Sequence, residues 1–298
     1  MLFRRMAPGN DSFVTEFILV ELTDHRDLQV PLFILFLVMY IVTVLGNLGL
    51  ITLIGLNSHL HTPMYFFLFN LSFIDLCFSS VFTPKMLMNF VSKKNIISYM
   101  GCMTQLYFFS FLSFLNPLLY NITMSRAVCS RLVFGSYSMA FSGSMAHTGC
   151  MLRLSFCDAN TINHYFCDIL SLLQLSCTST YINEMVVFIV VGINIIVPSL
   201  TIFVSYGLIL SSIFRISSTE GRSKAFSTCI SHIIAVSLFF GSGLFMYLKP
   251  SSAESMDEGK ISSVFYTNVV PMMNPLIYSL RNKDVKIALR KTLRRRKF

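Results

Sequence analysis

The chain of 298 residues contains no tryptophan, only 14 acidic residues, and charged residues at 12% in all, where a soluble domain carries roughly a quarter. That shortage excludes a water-solvated exterior. With 54% of the residues hydrophobic, among them 29 Phe and 17 Met, there is more apolar surface than one aqueous core of this length can hide. Lipid is the solvent this composition fits. Without Trp, interfacial anchoring falls to the 12 Tyr and to Lys/Arg. No cleaved apolar leader is expected either. Arg4 and Arg5 precede no hydrophobic run before the acidic stretch at 16–27, so the first long apolar run is expected to insert the chain and remain as a helix.

Charge-poor apolar runs lie at about 30–56, 64–81, 101–120, 132–152, 185–214, 230–248 and 261–280. A membrane helix needs about 20 residues to cross roughly 30 Å of hydrocarbon. The expected fold is therefore all-α, a polytopic seven-transmembrane helix bundle forming a single domain over 1–298, with an N-terminal segment 1–29 and a tail 281–298. The fourth run is diluted by Ser, Gly and His, and the third is interrupted by Asn116-Pro117.

Charge sets the expected orientation. With an outside N-terminus, the inner segments hold fourteen of the 23 Lys/Arg, nine of them after Leu280, while eleven of the 14 acidic residues fall outside. The sequon Asn10-Asp11-Ser12 then faces the lumen and is a glycosylation candidate. Asn70 and Asn121 also begin sequons, but one lies within a span and the other on the inner side. In the tail, Val285, Ala288, Leu289, Thr292 and Leu293 share one helical face, which suggests a short amphipathic helix on the inner leaflet. The basic run 294–297 reads as lipid-facing or as an endoplasmic reticulum retention signal rather than as a nucleic-acid site. The location expected is the plasma membrane, multi-pass.

Of eight cysteines, Cys102, Cys157, Cys167 and Cys177 fall on the outer, oxidising side, where four cysteines argue for two disulfides with three possible connectivities. Spacings of ten residues lack the short pairs of structural zinc sites. Cys77, Cys129, Cys150 and Cys229 read as packing residues. His147 and His232 are single residues in apolar spans, no set of side chains has catalytic or metal-ligand spacing, and neither enzymatic activity nor a cofactor is expected. A transporter or channel would show inverted repeats or several buried charges, and none is evident.

His61-Thr-Pro-Met-Tyr-Phe-Phe-Leu at the second run, Lys224-Ala-Phe-Ser-Thr-Cys before the sixth, Pro271-Met-Met-Asn-Pro-Leu-Ile-Tyr-Ser-Leu-Arg-Asn in the seventh, Gly46-Asn47 and His164-Tyr-Phe-Cys-Asp together resemble the vertebrate olfactory receptors. The resemblance implies a rhodopsin-like G-protein-coupled receptor that binds small volatile odorants and signals through a stimulatory G protein. It also implies the pairings Cys102–Cys167 and Cys157–Cys177. Asp75 is the one carboxylate within a span, costly there and a functional candidate by default. Asn47 and Asn274 could bond to it, and the family implies a polar, sodium-binding cluster at this point. Pro275 kinks the helix after Asn274, and the segment through Tyr278 is implied to be part of the activation switch. The odorant wall implied by the family comprises Phe109, Ser113, Asn194, Phe240, Leu244, Tyr247 and Thr267, with Phe240 standing where the family often has tyrosine.

One departure stands out. Family members ordinarily carry a segment ending in Met-Ala-Tyr-Asp-Arg-Tyr before Asn-Pro-Leu-Leu-Tyr. Here Tyr107-Phe-Phe is followed only by Ser-Phe-Leu-Ser-Phe-Leu before Asn116. The 21 steps from Cys102 to Thr123 reach roughly 31 Å at about 1.5 Å each, just enough to cross. The missing segment would carry the arginine that meets the G protein, which raises a second reading, a receptor-like membrane protein that is signalling-defective.

Overall fold

The computed structural model describes residues 14–23, 25–92, 94–119, 126–156, 160–215, 217–223, 226, 230, 233–234, 236–238, 241, 253–281 and 283–295. Its body is a bundle of long helices: α1 (Arg26–Leu56), α2 (Pro63–Val91), α3 (Tyr99–Leu119), α4 (Arg126–Met151) and, after the short α5 (Ile169–Gln174), α6 (Tyr181–Phe214). The described residues between 219 and 241 are helical. A last run comprises α7 (Ala253–Val264), a π-helical stretch (Phe265–Val269) and α8 (Val270–Arg281), followed by α9 (Lys283–Arg295).

In hydrocarbon no water can satisfy a backbone group, so helices whose hydrogen bonds are internal are the natural response to these runs. By length and composition, three helices among the described residues are long and apolar enough to cross a membrane, over 26–56, 65–91 and 181–211. The first and third bury only 17% and 12% of that apolar stretch inside the protein, the second 56%. Thus α1 and α6 present flanks suited to lipid, while α2 lies in the centre with α1, α3 and α8 around it.

The third helix is not interrupted at Asn116-Pro117 but runs through both to Leu119. Ending it earlier would leave backbone donors and acceptors unsatisfied in an apolar surrounding, a larger cost than one proline within a helix. Helix α2 also continues past its apolar run. Lys85 does not stop it, because the Lys85 ammonium donates to the Ile96 carbonyl at 2.7 Å.

A three-stranded sheet closes one end of the bundle, here called the cap. Strand β1 (Glu16–Leu19) lies between β2 (Ile96–Ser98), antiparallel with Phe17 opposite Ile97, and β3 (Thr161–Ile162), parallel with Ile18 opposite Thr161. Phe17 and Leu19 point inward and are buried against Met103, Leu106, Phe156 and Leu172. Nothing in the apolar pattern marked residues 16–19 as a strand, since four residues are too few for a period to show. At the opposite end α9 buries Val285 and Ala288 against Leu50, Leu53, Leu60 and Leu68. Leu289, on the same predicted face, is instead 45% exposed.

Candidate functional site

The central polar cluster is built by α1, α2 and α8. Asp75 and Asn47 are fully buried and Asn274 almost so. Asn274 Nδ2 donates to Asp75 Oδ2 at 2.8 Å. Asn47 does not reach Asp75 by a direct bond; its Nδ2 donates to the Thr43 and Pro271 carbonyls at 3.0 and 3.1 Å. Pro271 precedes Pro275 by four residues, so a proline at 275 leaves its carbonyl without the usual helical donor, and Asn47 supplies one. Gly46 makes the approach possible. A Cβ at that position would stand 3.0 Å from Pro275 Cγ, closer than packed carbon atoms come. Tyr278 packs against the same core, as does Tyr206 of α6.

Above this cluster sits an aromatic core. Phe109 of α3 is buried among Phe82, Phe166 and Tyr266, with ring centroids 5.6, 5.4 and 6.2 Å away. Phe78 closes the group, 5.3 Å from Tyr266. Ser113 lies one turn below Phe109, with its hydroxyl facing Tyr266.

The segment His164-Tyr-Phe-Cys-Asp folds over that core, and each of its residues has a separate task. Cys167 is disulfide-bonded to Cys102 at the start of α3, and its N–H donates to Gln105 Oε1 at 3.0 Å. Phe166 packs against both Phe82 and Phe109, with ring centroids 5.0 and 5.4 Å away. Asp168 caps α5, its Oδ2 accepting from Leu170 N and Ser171 N. Tyr165 and His164 reach across to α7 and the π-helical stretch. The Tyr165 hydroxyl lies 3.1 Å from Thr267 Oγ1, and His164 Nε2 lies 3.0 Å from Ser263 Oγ.

The donors in this network can be assigned. Ser263 donates to the backbone carbonyls of Gly259 and Lys260, so its oxygen accepts from His164 Nε2–H, and His164 Nδ1 accepts from Phe166 N–H at 3.4 Å. Thr267 donates to the Ser263 carbonyl. It accepts from Asn268 Nδ2 at 2.8 Å, while Asn268 Oδ1 accepts from Thr83 of α2 at 2.8 Å. The Thr267 hydroxyl is thereby saturated, and its methyl is all that remains for a ligand. Burial holds the His164 imidazole down to about 3, with the nearby Lys260 charge adding to the effect. Burial likewise pushes the Asp168 carboxyl up, against the backbone hydrogen bonds it accepts.

Among the other predicted residues, Asn194 is buried on α6 with Nδ2 donating to the Val190 carbonyl at 2.8 Å. Phe240, Leu244 and Tyr247 lie outside the described residues, as do Asn10 and Cys157. Cys177 is disulfide-bonded. Cys77 and Cys150 are free thiols. The links from His164 to Ser263 and from Tyr165 to Thr267 and on through Asn268 to Thr83 had no sequence signal. Ser and Thr in apolar helices read as neutral until a partner is placed beside them.

A membrane-type helix bundle with a buried carboxylate-amide pair beneath a disulfide-tethered cap has the rhodopsin fold. Squid rhodopsin superposes with a TM-score of 0.67 at 18% identity, over 90% of this chain and 86% of that one. The family follows from sequence. The olfactory receptor family model matches residues 36–296. Human olfactory receptor 8B3 is 70% identical over 305 aligned positions, covering 97% of each chain. Mouse olfactory receptor 8B3 is 68% identical, covering 97% of this chain and 96% of its own. This chain belongs to the olfactory receptor family, multi-pass membrane receptors of odorants that couple to G proteins and are not enzymes. These likenesses support the receptor function and give none to the signalling-defective reading.

Proposed function

We propose that this receptor couples to a stimulatory G protein and lies in the plasma membrane with its N-terminus and cap outside, spanning the bilayer at about 30–56, 64–81, 101–120, 132–152, 185–214, 230–248 and 261–280, with some copies held in the endoplasmic reticulum by the basic tail. The odorant binds beneath the cap, against Phe109, Ser113, Asn194, Phe240, Leu244, Tyr247 and the Thr267 methyl. Asn47, Asp75, Asn274, Pro275 and Tyr278 form the switch that binding moves. The observation that carries this reading is the bond between Asp75 and Asn274, which ties α2 to the proline-bearing stretch of α8. An odorant shifts the receptor only by binding one arrangement of such a contact better than another.

Asp75 would also hold a sodium ion, with the amide oxygens of Asn47 and Asn274 as further donors. An all-oxygen set suits a hard cation, and among the described residues no third His, Cys, Asp or Glu gathers there to favour a transition metal. Cys157 pairs with Cys177, and Asn10 carries a glycan.

The test is a cyclic AMP reporter at matched surface expression, with an odorant panel and a glycosidase digest alongside. A rise in cyclic AMP abolished by Asp75→Ala, with a glycan lost in Asn10→Gln, supports the reading. Odorant responses without cyclic AMP would refute stimulatory coupling, and a glycan that persists in Asn10→Gln would refute Asn10 as the modified residue.

A further inference from the structure

His147 stands on α4 with 3% of its surface exposed, and neither ring nitrogen has a hydrogen-bond partner among the described residues. Its ring meets Phe114 of α3 edge-on, with centroids 5.3 Å apart. One turn away, a Cβ on Gly143 would lie 3.3 Å from Phe114 Cδ2 and 3.4 Å from Val190 Cγ1 of α6. Three helices therefore converge at this level.

A second unfilled polar group belongs to the same place. Asn194, one turn beyond Val190, is 7% exposed, and its Oδ1 has no partner among the described residues. The end of α4 meets the start of α6, where Asn183 donates to Met151 Sδ, so the two helices run antiparallel. His147 lies on the cap side of the Gly143–Val190 contact and Asn194 on the other.

An imidazole carries at least one N–H in every protonation state. Burying that donor with no acceptor forfeits its hydrogen bond to water, and a phenylalanine would fill similar space without the loss. We infer that His147 is the polar anchor of the odorant site, donating its ring N–H to the oxygen of an uncharged odorant whose apolar body rests on Phe114. This rests on the receptor reading above and moves the anchor to α4, away from the helices expected to line the pocket.

The charge distribution narrows the ligand class. Residues 99–119, 132–152 and 181–214 contain no Lys or Arg. A carboxylate odorant would find no counter-charge on these stretches, Arg126 and Arg131 of α4 lying at the end of that helix far from His147 in sequence, and desolvating it there is costly. Ketones and alcohols need only the one donor.

The test compares wild type, His147→Phe and His147→Gln in a reporter assay at matched surface level, with series of medium-chain 2-ketones, 1-alkanols, 1-alkenes and carboxylic acids as probes. Unfolding temperatures of the purified proteins without odorant are measured in parallel. Wild type is expected to answer ketones or alkanols above alkenes and acids. His147→Phe should lose that preference by about tenfold or more in potency, while unfolding at no lower a temperature than wild type. His147→Gln, which keeps an N–H donor, should retain the preference. Wild-type potency in His147→Phe would mean that a buried water, or nothing, meets the histidine, and would overturn the proposal alone. So would a drop in unfolding temperature, which would reveal a structural partner, or a wild-type preference for acids. A wild type silent to all four series would overturn the receptor reading and this inference with it.

Discussion

Asn274 donates to Asp75 across 2.8 Å, joining side chains 199 positions apart in the chain with both ends buried. Such a bond is worth more through what its loss leaves behind than through its own strength, because a buried carboxyl short of a donor keeps its desolvation cost.

Asn274→Ala is therefore expected to destabilise the receptor by about 2–3 kcal/mol. Adding Asp75→Asn should recover part of the loss, since no carboxyl is then left buried. Thermal unfolding of the purified proteins reads both effects; equal midpoints for the single and double variants would contradict the account.

Gly46 and Gly49 provide an internal control on one helix. Alanine at 46 would push its Cβ to 3.0 Å from Pro275 Cγ, whereas the space at Gly49 is open. Gly46→Ala should cost about 1–3 kcal/mol through overpacking. Gly49→Ala should be neutral or stabilising by up to about 1 kcal/mol, as alanine favours helix over glycine. The same unfolding assay separates them, and matching behaviour would refute the close approach of α1 to α8.

The cap should loosen in acid through His164. Its folded pKa, about 3, lies below the unfolded value of 6.5, so the unfolded chain takes up protons first as pH falls. The contribution of His164 is thus fully present above pH 6.5 and declines from there toward about pH 3, at up to about 1.4 kcal/mol per pH unit. Asp168 acts with opposite sign, because burial raises its carboxyl. His164→Gln should flatten the fall in unfolding temperature between pH 7 and pH 5. An unchanged slope would exclude His164 as its source.

Cys167→Ala is expected to reduce surface delivery more than Cys77→Ala, because Cys167 ties the cap to α3 while Cys77 is a free thiol. Cys102→Ala should match Cys167→Ala, and the double variant should be no worse than either. Flow cytometry of an N-terminal tag gives the comparison; equal levels for Cys167→Ala and Cys77→Ala would sink it.

Much of the family's motif content acquires its reason only in space. His61-Thr-Pro-Met-Tyr is legible as a helix start, with Thr62 at the N-cap position and Pro63 in the first turn. That Tyr65 then donates to Asp284 of α9 at 3.4 Å is not legible. Thr267 reads as a ligand contact, yet its hydroxyl is occupied by Ser263, Asn268 and Tyr165. His147 reads as an isolated residue of an apolar helix, and the convergence of Phe114, Gly143 and Val190 makes it a donor enclosed by three helices.

The sequence by itself determined the all-α fold, the membrane as solvent and the family. Each follows from sums over neighbouring residues: transfer free energy adds along a helix, and motifs are contiguous. Tertiary structure alone decided that residues 16–19 form the middle strand of the cap, that Asn47 serves the Pro271 carbonyl rather than Asp75, and which hydroxyls are saturated. Those outcomes depend on directional bonds between groups as far as 224 positions apart, and such bonds form only where packing has first brought donor and acceptor within about 3 Å.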